Sequence, residues 1–177
     1  MHRLLRQTIF AVAATSIASV AAAKSPAEWQ ALTTPVQITL EQAVQAAQTA
    51  TSGKVVEIEL EEGHRGAPAG YEAKVLTADG QRSEVWIDGT SGQAHVEKKE
   101  KKAKRKDSER AQAAKIDILQ AVQAATAHTP GKAVAAELDS HHGTVSYEVD
   151  VLQADYSVME LQLDASDGKV LRSKHDR

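Results

Sequence analysis

The chain contains no cysteine among its 177 residues. That removes disulfide staples, thiol nucleophiles, thiol redox chemistry and cysteine metal centres together. Aromatic residues are scarce, with one phenylalanine, two tryptophans and three tyrosines, so any core must be mostly aliphatic. No apolar run reaches the roughly 20 residues that a bilayer-spanning helix needs. Positive charge is not in excess either: 21 Lys and Arg stand against 24 Asp and Glu, for a formal net charge of −3. That balance gives no reason to expect a nucleic-acid partner.

What is present begins with an address. Residues 1–23 carry Arg3 and Arg6, then an uncharged run of apolar or small residues over 8–20, then Ala21, Ala22 and Ala23. This is the order of a cleavable export signal, with the cut expected between Ala23 and Lys24. The mature chain is therefore expected to be periplasmic or secreted, with no transmembrane segment after cleavage. Without Arg3 and Arg6 it carries 19 basic and 24 acidic residues, a net charge of −5. Export also argues against DNA as a partner.

The rest of the chain is organised around a stretch that occurs twice. Residues 38–60 and 116–138 match at a constant offset of 78, pairing Ala43-Val44-Gln45-Ala46-Ala47 with Ala121-Val122-Gln123-Ala124-Ala125, Gly53-Lys54 with Gly131-Lys132, and Glu59-Leu60 with Glu137-Leu138. The match resumes at an offset of 76, pairing Tyr71-Glu72 with Tyr147-Glu148, Asp88 with Asp164 and Gly92 with Gly168. A duplicated module is the consequence. Two halves of about 60 residues each lie near the lower limit for independent stability, and no disulfide assists them.

Within each copy the hydrophobic period changes from helical to extended. Thr39 with Gln42, and Asp117 with Gln120, have the spacing of a capping box. Leu40, Ala43, Val44 and Ala47, repeated as Ile118, Ala121, Val122 and Ala125, form one narrow apolar helix face. Val56, Ile58 and Leu60 then alternate with Glu57, Glu59 and Glu61, the pattern of a half-buried strand with an acidic side. Further strands are expected at 71–76 and 83–88, joined by a turn at Ala78-Asp79-Gly80, with a short tail strand possible at 93–96. The expected fold class is α+β: two tandem repeats, each one helix packed on a small three-stranded antiparallel sheet. The expected divisions are a signal peptide (1–23), a leader (24–35), repeat 1 (36–96), a charged linker (97–114) and repeat 2 (115–173).

This ordered set resembles the PepSY domain: an Ile-led helix with an alanine-rich face, Gly53-Lys54, Tyr71, Asp79-Gly80, and Asp88 with Gly92, then Pro130-Gly131-Lys132, Tyr147, and Asp164 with Gly168. The second copy departs at Asp155-Tyr156, where glycine is missing, so a different turn type is expected there. The first copy has Ser52 in place of the proline. The resemblance implies a non-enzymatic exported module of the kind found in propeptides of secreted thermolysin-like metallopeptidases, where it is associated with inhibition. A secreted peptidase or another envelope protein is then the implied partner, and no cofactor or catalytic residue is carried over.

Several residues could bear chemistry on their own account. Asp139, His141 and His142 could hold a divalent transition metal. Neighbours in an extended segment point to opposite faces, however, and the first copy offers only His64 in its comparable loop. That reading makes the alternative function a periplasmic metal- or small-ligand-binding protein. Glu57, Glu59, Glu61 and Glu62 read as a solvated acidic face before they read as a cation patch. Tyr71 and Tyr147 occupy equivalent places, which points to packing, and Trp29 is expected to dock on its own domain. Ser, His and Asp are present without the arrangement of a triad, so hydrolysis is not expected. Residues 97–110 hold eight basic and four acidic side chains. They read as a solvated linker, helical in part through the i, i+4 pairs Glu97 with Lys101 and Glu100 with Lys104, with a tether to anionic lipid or to an acidic partner surface as the alternative.

Overall fold

In the computed structural model, residues 24–175 are described apart from 101 and 142. The expected signal peptide and His142 therefore lie outside the described residues. Both expected capping boxes form. The Thr39 hydroxyl accepts from the Gln42 amide while Gln42 Oε1 accepts from the Thr39 amide, and Asp117 and Gln120 do the same. They open α2 (Leu40–Ala50) and α4 (Ile118–His128), and the apolar faces read from the sequence are buried on both helices. An earlier helix, α1 (Pro26–Thr33), occupies the segment expected as a leader without regular periodicity. Ser25 and Glu28 cap it with Pro26 at its first turn, and its Trp29 and Leu32 are buried.

The strands are β1 (Lys54–Glu61), β2 (Gly70–Leu76), β3 (Arg82–Asp88), β4 (Ala94–Glu100), β5 (Lys132–His141), β6 (Thr144–Leu152), β7 (Val158–Asp164) and β8 (Val170–His175). All pair antiparallel in one eight-stranded sheet, in the order β4-β3-β2-β1-β5-β6-β7-β8. This corrects the three-stranded expectation: each repeat contributes four strands, and the two sets merge. The fourth strand of each repeat lies at an outer edge, where β8 is mostly exposed and so lacks the alternating pattern that marks a half-buried strand.

The merger is self-complementary. Ile58 pairs with Ala136, its own counterpart in the other repeat, flanked by Glu57 with Glu137 and Glu59 with Ala135. A local two-fold axis therefore passes through the centre of the sheet. Both α2 and α4 cover one face, and a contiguous core runs from Leu40, Val44 and Ile58 to Val122, Tyr147 and Leu161. Small alanines at Ala43, Ala47, Ala121 and Ala125 let the helices lie close to the strands.

The two β2–β3 and β6–β7 turns correct a second expectation. In the first, Thr77 N–H donates to Gln81 O and Gly80 N–H to Thr77 O; in the second, Gln153 and Tyr156 repeat those bonds to Ser157 and Gln153. Gly80 has φ +75° and Tyr156 has φ +64°. The turn type is thus retained and the tyrosine takes the left-handed conformation, which costs a residue with a Cβ about 1–2 kcal/mol. The Ser157 hydroxyl and amide donating to Asp155 hold it in place.

Candidate functional site

The face of the sheet opposite α2 and α4 is polar. Helix α3 (Arg105–Ala113), from the basic segment between the repeats, lies across its middle against β1 and β5. None of its residues is fully buried; Ala111 packs against the core, and ionic and backbone contacts supply the rest of the hold. Arg110 donates to Leu138 O at 3.1 Å and to Asp107 Oδ1 at 2.7 Å, and it pairs with Asp139. Asp107 also lies 3.8 Å from Arg82 on β3. Lys54 Nζ donates to Ala111 O at 2.8 Å, close to the end of the helix, where a cation meets the negative pole of the dipole. Beneath α3 is a polar cavity of about 220 Å³ lined by Glu57, Lys74, Arg82, Asp107, Arg110 and Glu137, among others. Lys74 is paired with Glu57, which directly faces Glu137 across the junction of the repeats.

Of the metal candidates read from the sequence, Asp139 and His141 lie together, with His141 Nε2 at 3.4 Å from Asp139 Oδ2. Asp139 is already engaged by the Arg110 guanidinium, and an ion binding there would have to displace it. The acidic residues of β1 divide among different partners: Glu57 takes Lys74, Glu59 lies 3.9 Å from Lys24, and Glu61 approaches His64 and Glu72. The grouping of Glu61, His64 and Glu72 is not apparent from spacing alone, because it depends on how the 62–69 loop folds back. Tyr71 and Tyr147 prove to be structural, donating to Ile38 O at 3.3 Å and Ile116 O at 3.0 Å respectively. Burial pushes the Tyr71 phenol up to about 12 and raises that of Tyr147 as well, so neither ionises near neutral pH.

The outer edges complete the surface. Strand β8 exposes Leu171, 51% accessible, between Val170 and Arg172. The pairing shifts there, with Leu163 opposite Val170 and Gln162 opposite Arg172, so Leu171 is the extra residue of a bulge. Lys174, two residues beyond Arg172, reaches Glu160 at 2.8 Å. At the opposite edge β4 carries His95, Lys98 and Lys99. No helix among the described residues is long and apolar enough to cross a membrane.

The fold and surfaces define the class first: a duplicated helix-on-sheet module whose shared features, the caps, the tyrosine bonds and the turns, are architectural. The PepSY family model, described as "Peptidase propeptide and YPEB domain", matches residues 37–94 and 115–174. The chain therefore belongs to the PepSY family, with two copies in tandem. Among solved structures it is similar to a lipoprotein candidate from Clostridium difficile 630, at 16% identity and TM-score 0.43, covering 80% of this chain and 95% of that one. It is also similar to the YpmB protein from Bacillus subtilis, at 17% identity and TM-score 0.36, covering 79% and 99%. At these scores neither likeness bears on function. Among curated proteins none matches.

Proposed function

We propose that the chain is a non-enzymatic, exported interaction module that captures an extended segment of another exported protein, a secreted peptidase first among them. The observation that carries this reading is the outer edge of the sheet at β8. The two inner edges are consumed in joining the repeats, whereas among the described residues β8 has a partner on one side only. Edge strands offer unpaired backbone groups, and natural proteins usually blunt them with charge or bulges. Here Arg172 and Lys174 supply charge, but the bulge turns out an apolar side chain, Leu171, beside them. Strand addition at such an edge draws affinity from the main chain and specificity from alternate side chains. A segment with acidic residues flanking an apolar one fits this edge. The propeptide association of the family makes a peptidase the first partner to try.

The test is inhibition and direct binding of a purified secreted metallopeptidase of the thermolysin type, using the parent chain and a Leu171→Asp variant. Binding by the parent, weakened about tenfold or more in the variant at unchanged stability, is the expected outcome. Binding that is indifferent to Leu171→Asp and Arg172→Glu would remove β8 as the capture edge. The second reading, cation or small-ligand capture on the acidic strands, draws support from one group in repeat 1.

A further inference from the structure

Glu61 ends β1, Glu72 lies in the neighbouring β2, and His64 opens the short 3-10 turn (His64–Gly66) between them. One ligand atom from each lies within 4.8 Å of the other two. The loop geometry that achieves this is specific. Gly63 sits so close to the backbone that an added Cβ would fall 2.1 Å from Ala67 O and 2.2 Å from Pro68 O. Gly66 takes φ +85°, and Ala67 N–H closes the turn on His64 O at 3.1 Å. The loop thus folds back over the polar face and lays the imidazole against Trp86, with ring centroids 5.8 Å apart. Trp86 in turn sits opposite Glu72 in the sheet register. His64 itself remains exposed.

The duplication supplies an internal control. By the repeat offsets Glu61 corresponds to Asp139 and Glu72 to Glu148. The second copy therefore also places two carboxylates and a nearby histidine, His141, at this corner of the sheet. There the chain supplies a cation of its own, the Arg110 guanidinium on Asp139. In the first copy α3 meets Arg82 and Lys54, at the other end of β1 from Glu61. Lys24 lies 3.9 Å from Glu59 and 4.9 Å from the Trp29 ring centroid.

We infer that Glu61, His64 and Glu72 form a binding site for one divalent transition cation of the zinc class. Two carboxylate oxygens and one imidazole nitrogen are a borderline donor set, and tetrahedral bonds of about 2.0–2.2 Å would draw the three atoms to about 3.3–3.6 Å apart. The exposed His64 side chain can make that movement. A three-residue set leaves a coordination position for water or for a donor from a partner.

Zinc binding to the purified chain, prepared without a polyhistidine tag, tests this by titration calorimetry. Cobalt quenching of tryptophan emission gives a second readout, because the His64 ring lies 5.8 Å from that of Trp86. One zinc per chain is expected, with affinity reduced about tenfold or more in both His64→Ala and Glu72→Gln. Affinity should be unchanged in His141→Ala, and cobalt quenching should be lost in His64→Ala. Unaltered circular dichroism of the variants establishes that the fold is intact, and Glu72→Gln keeps the side-chain volume. Absence of saturable uptake overturns the assignment. So does uptake that survives both first-copy variants, or uptake abolished by His141→Ala alone. The capture of a protein segment at β8 is unaffected by any of these results, so the two readings fail separately.

Discussion

Whether the repeats unfold as one body can be tested from one side of the molecule while watching the other. Leu161 on β7 is fully buried in repeat 2, and Leu161→Ala removes the transfer energy of its side chain and leaves a cavity. For a buried leucine that costs about 3 kcal/mol. At about 2–4 °C per kcal/mol for a fold of this size, the melting temperature should fall by about 6–12 °C. Trp86 lies on β3 of the first repeat, so in a Trp29→Phe background the emission reports that half, while far-ultraviolet circular dichroism reports both. Because β1 and β5 pair and the core is contiguous across them, the emission melt should move by the same amount as the dichroism melt. An emission melt that stays at the parent temperature, with dichroism split into two steps, would show that the shared sheet does not couple the halves.

Two further expectations concern the turns and the titrating carboxyls. Gly80→Ala has open space around its new Cβ but retains φ +75°, so it should cost about 1–2 kcal/mol, read as a lowered urea midpoint at unchanged slope. Burial and the charge of Glu160 raise the Glu148 carboxyl above its ordinary 4.5 in the fold, so the stability linked to it is full below that value and is lost as pH rises through the folded pKa. Asp88 and Asp164, bonded by Ser91 and Ser166, shift below their ordinary 3.8. Their contribution is present above that value and is lost as pH falls through their folded pKa. Urea midpoints should therefore rise as pH is lowered from neutral toward 4.5 and fall once it drops below 3.8. Glu148→Gln should flatten the neutral side of that profile, and an unchanged slope there would refute the assignment.

Much of the fold was legible in the residues because the relevant signals are local. The capping pairs, the alanine faces and the alternation in β1 each depend on neighbours a few positions apart. Four features escaped that reading for physical reasons. Pairing of β1 with β5 joins residues about 78 positions apart and has no local signature. The outer strand β8 is wet, so it need not alternate, while β4 extends well past the tail strand expected at 93–96. Part-helical character was expected in the linker from the pairs over 97–104, but β4 runs to Glu100 and helix α3 begins only at Arg105, fastened by Arg110 and Lys54 and not by an apolar stripe. Tyr156 keeps a turn that composition alone assigns to glycine, because the bonds from Ser157 to Asp155 stabilise it. At the site level, His64 was recognisable as a loop histidine, but its approach to Glu61 and Glu72 follows from the folded-back loop. Asp139 was recognisable as a ligand candidate, but its capture by Arg110 comes from a segment read as solvated.

The central pair of Ile58 with Ala136 also bears on what one repeat could do by itself. A strand edge that matches its own rotated copy is a recipe for a homodimer, since the same surface serves as donor and recipient. In this chain the two copies are tied by α3 and its flanks, so their meeting is intramolecular, at an effective concentration in the millimolar range for short tethers. An excised repeat loses that advantage but keeps the bare edge of β1 or β5, and it should find another repeat at high concentration. Fusion has also freed the two halves from having to be identical. Glu57 can differ from Ala135 across the axis, Arg110 can serve one copy only, and the first copy is left with a corner of carboxylates and imidazole that a strict homodimer would have had to carry twice.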